Sequence, residues 1–248
     1  MIEGREITEK NTLIKKIKMK YREYKAKKII EEYDIFLVLT EEDKINWGRN
    51  NPKIKVINNP LTFYSNKNSS LNEKRVISLG RLHEQKGYDI LIDVWKKVNN
   101  VHSDWVLEIY GEGEEREKLQ NKIDEENLTN TFKLMGRTKE VYKELLNSSI
   151  YVLSSRFEGF GMVLIEAMVC GVPIVSFDCP CGPKDIILDG KNGYLCKFGD
   201  IDDMVKKIIY LIENGDKRKE MGEIGKKLSS KYLEDNIMNQ WKELYENK

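Results

Sequence analysis

An α/β fold built on a doubly wound parallel sheet is the fold class that this sequence predicts. From residue 75 onward, short apolar segments alternate with helical segments. Strands are expected at about 75–80, 105–110, 131–135, 150–153 and 173–176. Helices are expected near 87–99, 114–126, 138–147, 161–170 and 183–188, and three more at 200–214, 216–230 and 233–247. Such alternation indicates parallel strands joined by right-handed crossovers, as in a Rossmann-like domain.

The first 61 residues predict a smaller, separate part of the fold. The segments YDIFLVLT (33–40) and KIKVINNPL (53–61) are typical of short strands. Between them, TEEDKINWGRNN predicts a polar helix that Thr40 caps. Residues 62–74 are polar, rich in breakers and without periodicity, which is typical of a linker. The predicted division is therefore 1–61, the linker 62–74, a main domain over 75–232 and a C-terminal helix over 233–248.

The composition is that of an ordinary globular protein. The chain has 248 residues, 40% of them hydrophobic, and a net charge of +1, which gives no general attraction to nucleic acid. No apolar stretch approaches the roughly 18 residues needed to cross a bilayer, and no secretory signal is recognisable. The four cysteines lack the spacing of a zinc site. We therefore expect reduced thiols and a location in the cytoplasm or at the inner face of the cell membrane.

Positive charge is concentrated in residues 10–30, which carry nine cations and one acid. Ile14, Ile17, Tyr21 and Tyr24 follow helical spacing, so the segment predicts a basic amphipathic helix. Such a helix suits peripheral contact with an anionic membrane surface, where lipid-linked acceptors occur. A solvated surface helix explains the same pattern equally well.

Two glutamates lie eight residues apart in SSRFEGFGMVLIEAM, residues 154–168. Glu158 precedes a glycine-rich loop, and Glu166 lies one to two turns into an otherwise apolar helix. A carboxylate there is costly unless it is hydrogen-bonded or meets a ligand. Open N–H groups at the helix start favour an anion. The pair therefore suits a nucleotide-sugar, although a surface Glu158 and a structural Glu166 remain the alternative.

A second motif, RVISLGRLHEQKG, occupies residues 75–87. An apolar strand runs into Gly80 and is followed by two cations, Arg81 and Lys86. Open α/β sheets bind ligands beyond the carboxyl ends of their strands. An arginine can grip phosphate oxygens in a fork, and a lysine acts as a point charge. Two solvated surface cations are the alternative interpretation.

Together, GRLHEQKG and EGFGMVLIE resemble the signature of retaining GT-B glycosyltransferases of family 4. Further matches follow in order: IYGEGEEREKL at 109–119, FKLMG at 132–136 and CGPKDIILDGKNGYL at 181–195. The resemblance covers roughly residues 30–248. Enzymes of this type have an N-terminal acceptor domain and a C-terminal donor domain. The resemblance implies the whole donor domain with only a remnant of the acceptor domain, so that the chain is truncated or a separate partner supplies the missing half.

The resemblance also implies roles for individual residues. Arg81 and Lys86 would bind the donor diphosphate and stabilise its charge as it leaves, and Glu158 would face the transferred sugar; these three form the implied catalytic set. Glu166 would accept hydrogen bonds from the ribose hydroxyls. The remaining implied donor-binding residues are Gly80, Gly111, Leu134, Met135, Arg137, Gly159, Phe160, Gly161, Met162 and Val163, with Leu134 and Met135 contacting the base through their backbone.

The implied activity is retaining transfer of a sugar from a UDP-hexose or UDP-N-acetylhexosamine to a glycan or lipid-linked acceptor in bacterial polysaccharide biosynthesis. GDP-mannose enzymes share these motifs, so the nucleotide stays open. No metal and no cofactor are expected, because Arg81 and Lys86 can replace a divalent cation. An NAD site is not expected either, because Arg116 stands where the dinucleotide fingerprint needs its third glycine. The second hypothesis is a non-catalytic nucleotide-sugar-binding subunit of a split enzyme.

Overall fold

The computed structural model describes Tyr24 and residues 28–246, and the chain divides into two compact units between Val56 and Ile57. In the first unit, β1 (Phe36–Val38) and β2 (Ile54–Val56) pair in parallel and are joined by α1 (Glu41–Gly48). The predicted cap is present, because the Thr40 hydroxyl accepts a hydrogen bond of 3.0 Å from the Asp43 N–H. Most of the predicted basic helix, residues 10–23 and 25–27, lies outside the described residues.

The second unit carries six parallel strands in the order β5-β4-β3-β6-β7-β8. Their bounds are Arg75–Leu79 (β3), Val106–Tyr110 (β4), Phe132–Gly136 (β5), Ile150–Leu153 (β6), Ile174–Asp178 (β7) and Gly193–Lys197 (β8). The doubly wound α/β prediction is therefore confirmed. Strands β6 and β7 are almost wholly buried, which is why they are continuous apolar runs.

The helices of this unit are α2 (Tyr88–Asn99), α3 (Arg116–Glu125), α4 (Val141–Leu146), α5 (Met162–Val169), α6 (Pro183–Ile186), α7 (Ile201–Glu213), α8 (Gly215–Ser229) and α9 (Glu234–Glu246). Helices α4 and α6 are shorter than predicted. The chain leaves α6 at Ile187, whose backbone is extended. None of the helices in the described residues has the length and apolar character needed to cross a membrane.

Strand β8 is absent from the prediction. It is an edge strand, GYLCK, and only two of its five residues are buried, so it lacks the apolar run of the central strands. Its position depends on Gly193, where a Cβ atom would lie 2.5 Å from the carbonyl oxygen of Ile174 on β7. Close pairing with β7, rather than the local sequence, makes this segment a strand.

The strand order creates a crevice. Strand β3 lies between β4 and β6. The chain leaves β3 towards β4 and β5, whereas it leaves β6 towards β7 and β8. The connections after β3 and β6 therefore lead to opposite ends of the sheet, and the carboxyl edge at such a switch point is where open α/β sheets bind ligands.

Candidate functional site

A cavity of about 550 Å³ opens at this carboxyl edge. Its volume is in the range typical of small-molecule sites. Six residues singled out from the sequence line it: Gly80, Arg81, Lys86, Gly111, Arg137 and Val163. Five further residues, which the sequence motifs do not predict, also line the cavity: Leu79, Tyr110, Glu112, Thr138 and Val141. Leu79 and Tyr110 end strands β3 and β4, so the carboxyl-edge rule contained a signal for both.

Hydrogen bonds between adjacent loops hold the cavity floor. The Gly80 N–H donates to the Tyr110 carbonyl at 3.0 Å, and the Gly111 N–H donates to the Gly136 carbonyl at 2.9 Å. Glycine is required for this approach, because a Cβ atom on Gly111 would lie 1.8 Å from the carbonyl oxygen of Gly80. Gly113 is likewise constrained by a carbonyl oxygen, that of Leu82, at 2.2 Å from its would-be Cβ. At both glycines, two backbones therefore lie in close contact.

Two arginines give the cavity an unbalanced positive charge. Arg81 and Arg137 are both exposed and line the cavity. Within residues 28–246, neither guanidinium makes a hydrogen bond or ion pair with a neighbouring side chain. The carboxylate of Glu112 also lines the cavity, but it pairs with Arg116 at 3.0 Å. The two guanidinium groups are therefore available to an anion.

Glu158 and Lys86 meet across the crevice. The Lys86 ammonium lies 2.7 Å from Oε1 of Glu158, and the Ser155 hydroxyl donates to the same oxygen at 2.5 Å. The side chain of Glu158 is only 7% exposed. Lys86, which was expected to bind phosphate, is thus also the partner of the expected sugar-facing acid. Ser155 was not singled out from the sequence, although it lies in the same motif three residues before Glu158.

Backbone contacts fix this pairing. The Ser154 hydroxyl donates to the Lys86 carbonyl at 2.8 Å, and the Arg156 N–H donates to the Gln85 carbonyl at 2.7 Å. Gly87 has a φ of 65°, and a Cβ atom there would lie 2.1 Å from the Ser154 carbonyl oxygen. The loops after β3 and β6 are therefore held together on one side of the crevice.

The start of α5 has the predicted glycine-rich form. Gly161 has a φ of 89° and immediately precedes the helix. Phe160 is buried and packs edge-on against Tyr232, with ring centroids 5.7 Å apart. Gly159 is exposed, with no atom within 4 Å of its would-be Cβ. Of this segment, Val163 reaches the cavity lining, whereas the side chains of Phe160 and Met162 do not.

Glu166 lies on α5 one turn beyond Val163 and does not line the cavity itself. Its Oε1 accepts a hydrogen bond of 2.7 Å from the Thr62 hydroxyl. Burial raises the pKa of Glu166, and the Thr62 hydrogen bond opposes that rise. Thr62 is 104 residues away in sequence, so no local signal could have identified it.

Two of the expected base-contacting residues lie outside the cavity. The Leu134 carbonyl accepts a hydrogen bond of 3.1 Å from Arg116, and its side chain packs against the core. Met135 is 46% exposed. The cavity lining instead includes Arg137 and Thr138 from the loop after β5. Among the described residues, no group of three or more histidines, cysteines or acids is arranged to hold a metal ion.

Comparison with known proteins places the chain in one family. Glycosyl transferases group 1 matches residues 62–228. An uncharacterized glycosyltransferase of Haemophilus influenzae is 35% identical over 212 residues, which cover 84% of this chain and 60% of that protein. A mutant of S. aureus TarM, solved with Fondaparinux, alpha-GlcNAc-glycerol and UDP, has a TM-score of 0.80 and 31% identity, over 87% of this chain and 44% of that one. The pneumococcal O-GlcNAc transferase GtfA, solved with UDP and GlcNAc, has a TM-score of 0.76 and 26% identity, over 88% and 46%.

These matches confirm the Rossmann-like α/β fold of GT-B type. The chain spans no more than 60% of the length of these relatives. The family match contains the cavity, the Lys86–Glu158 pair and Glu166. It also covers about two thirds of the sequence. The chain therefore belongs to glycosyl transferases group 1.

Proposed function

We propose that this chain binds a nucleotide-sugar donor in the crevice beyond β3 and β6, and that the donor is a UDP-hexose or a UDP-N-acetylhexosamine. The observation that carries the proposal is the pair of cavity arginines, Arg81 and Arg137, with no carboxylate partner among the described residues. A diphosphate supplies the missing negative charge. An arginine binds it through two parallel hydrogen bonds, which are stronger than those between neutral groups.

The proposed reaction is retaining transfer of the sugar to a glycan or lipid-linked acceptor in polysaccharide biosynthesis. Arg81 stabilises the charge that develops on the diphosphate as it departs, a role that commonly contributes about 3–4 kcal/mol. Lys86 adds positive charge between the diphosphate and Glu158. Two hydrogen bonds already engage one oxygen of Glu158, so this acid is held to orient the sugar rather than to attack it. With these cations in place, the reaction needs no metal.

The identity of the nucleotide is supported by relatives. The TarM structure contains UDP and alpha-GlcNAc-glycerol, and the GtfA structure contains UDP and GlcNAc. Their sequence identities to this chain, 31% and 26%, are modest. UDP with an N-acetylhexosamine is therefore the donor to test first, and the alternatives with GDP and ADP belong in the same titration.

A second candidate is a non-catalytic nucleotide-sugar-binding subunit that is one half of a split glycosyltransferase. The observation that favours it is the similarity to a chain of the GtfA/B complex, with a TM-score of 0.76 and 27% identity over 92% of this chain and 47% of that one. Such a subunit would bind donor and would transfer sugar only with an acceptor-domain partner. Donor turnover by the chain alone, measured as UDP release from UDP-GlcNAc with and without acceptor, distinguishes the two candidates.

Calorimetric titration with UDP, GDP and ADP tests the donor site. One nucleotide is expected to bind clearly best. Arg81→Ala and Arg137→Ala are each expected to weaken it at least about tenfold, since hydrogen bonds to charged groups contribute about 1.5–3 kcal/mol. Lys191→Ala, an exposed cation outside the cavity, is the matched control and should bind normally. If none of the three nucleotides binds, the proposal is wrong.

A further inference from the structure

We infer that Thr62 is a positioning residue for Glu166: its hydroxyl holds the carboxylate as an oriented hydrogen-bond acceptor for the ribose diol of the donor. The inference rests on the proposed donor site and extends it to a residue outside the two sequence motifs. It also assigns a function to the segment 61–69, which contains neither helix nor strand. We call this segment the strap.

The contact between the two side chains is well suited to this role. The Thr62 hydroxyl lies 2.7 Å from Oε1 of Glu166. A threonine hydroxyl carries one hydrogen, whereas an ionised carboxylate offers about four acceptor positions on its two oxygens. One position is taken by Thr62, which leaves Oε2 and a lone pair on Oε1 for a ligand. A ribose presents two adjacent hydroxyl donors, which match those remaining acceptors.

The strap itself is anchored, so the Thr62 hydroxyl is presented from a fixed backbone. On one side of Thr62, the Leu61 N–H donates to the Tyr232 carbonyl at 2.8 Å. On the other side, the buried Ser65 hydroxyl lies 2.9 Å from the Tyr142 hydroxyl. The Phe63 ring packs edge-on against the Tyr142 ring at 5.4 Å. Tyr142 directly follows Val141 of the cavity lining, which connects the strap to the donor cavity.

The electrostatic surroundings explain why Glu166 needs this donor. Burial raises its pKa, and a protonated carboxyl would lose part of its capacity to accept hydrogen bonds from a ribose. The Cys170 thiol, which follows the last residue of α5, stays neutral because burial raises its pKa to about 12. The positive charge of Lys226 on α8 opposes this rise in the pKa of Cys170. Thr62 is therefore the group that favours the ionised form of Glu166.

The test uses three threonine variants of the full chain. Thr62→Val removes the hydroxyl with little change of shape, and Thr62→Ser restores it. Thr129→Val is the matched control, because the Thr129 hydroxyl also donates to an acid, Asp124, but far along the chain from the strap. Thr62 and Thr129 are both exposed, so the three variants are expected to fold, which circular dichroism verifies.

Binding of UDP and of 2′-deoxy-UDP is measured by calorimetry. For Thr62→Val we expect UDP affinity to fall about five- to tenfold while 2′-deoxy-UDP affinity falls less, because 2′-deoxyribose presents only one of the two hydroxyl donors to Glu166. Thr62→Ser and Thr129→Val should resemble the wild type. Normal UDP binding by Thr62→Val, or an equal loss for both nucleotides, overturns the inference. Failure of the wild type to bind UDP instead overturns the proposed UDP site, and the inference with it.

A second readout does not depend on any nucleotide. The carboxyl carbon of Glu166 is titrated by NMR in the free protein. Without the hydroxyl donor, the pKa of Glu166 is expected to rise in Thr62→Val and to return in Thr62→Ser. An unchanged titration in Thr62→Val would show that the Thr62 contact does not act on the carboxylate. A merely structural role of the strap would not produce this serine-rescued shift.

Discussion

Replacing Arg75 with methionine is expected to destabilise the second unit by about 3 kcal/mol at neutral pH. Arg75 lies at the start of β3, and its guanidinium joins that strand to β4 and α4. Its Nε donates to Glu108 at 2.6 Å, and its Nη2 lies 2.6 Å from both the Tyr110 hydroxyl and Glu144. The Tyr110 ring lies below the guanidinium, 5.6 Å from its centre. One cation thus holds two acids against a residue of the cavity lining.

The magnitude follows from burial. The side chains of Arg75, Glu108 and Glu144 are 16%, 18% and 19% exposed, so solvent screens them only weakly. Removing one partner of a buried ion pair costs about 3–5 kcal/mol, because the remaining charge is left uncompensated. We expect a loss at the lower end of this range for two reasons. The three side chains keep some exposure to solvent, and the Tyr110 hydroxyl stays close to both acids, 3.0 Å from Glu108 and 2.9 Å from Glu144.

The effect is also expected to depend on pH. Burial raises the pKa of Glu144, but hydrogen bonds from Arg75 and Tyr110 outweigh it and lower the pKa below its ordinary value. In the wild type, the stabilisation that comes from the lowered pKa of Glu144 is present above the pKa of this group in the unfolded state. It is lost as pH falls through the pKa of Glu144 in the folded state. In Arg75→Met, burial dominates and raises the pKa, so the penalty disappears as Glu144 takes up a proton. The stability difference should therefore be largest near neutral pH and shrink below about pH 5.

Urea unfolding followed by circular dichroism, at about pH 7 and about pH 4.5, measures the difference. Lys143→Met is the matched control, because Lys143 lies next to Glu144 on α4 but forms an exposed ion pair. The side chains of Lys143 and its partner Glu140 are 62% and 63% exposed. Its loss should be below about 0.5 kcal/mol. If Arg75→Met loses no more free energy of unfolding than this control at neutral pH, or loses the same amount at both pH values, Arg75 does not compensate the two buried acids.

Two further predictions concern the backbone contact in the cavity and the thiols. Gly111→Ala should lower the free energy of unfolding by roughly 2–4 kcal/mol, because its Cβ would lie 1.8 Å from a carbonyl oxygen. Gly159→Ala, with open space around it, should cost less than about 1 kcal/mol, and equal losses in urea unfolding would contradict the close approach. With a thiol-specific disulfide reagent at neutral pH, at most one thiol of the native protein should react fast, because burial raises the pKa of the other three, and all four should react after unfolding. The three thiols whose pKa burial raises are those of Cys170, Cys179 and Cys196. Fast reaction of two or more thiols in the native protein would show that buried thiols are accessible to the reagent.

Much of the fold was predictable because buried parallel strands and their crossover helices have strong local signals. Strands β6 and β7 are continuous apolar runs, and the glycine-led start of α5 is visible in EGFG. Strand β8 escaped prediction because an edge strand is partly exposed and its identity depends on pairing with β7. The same division holds for the site. Arg81 and Arg137 line the cavity, as their positions after β3 and β5 suggest. Leu134 does not line it: its side chain packs against the core, and its carbonyl accepts a hydrogen bond from Arg116.

The sequence by itself determined the fold class, the family and the residue types that we propose to bind a donor, since these depend on patterns over a few neighbouring positions. Only the tertiary structure decided which of those residues meet. It paired Lys86 with Glu158 across 72 residues and Thr62 with Glu166 across 104. The physical reason is that hydrogen bonds and ion pairs act over about 3 Å, whatever the separation along the chain. The order of the strands, the close contacts between backbones at glycines and the burial of side chains set those distances. A local sequence motif specifies none of the three.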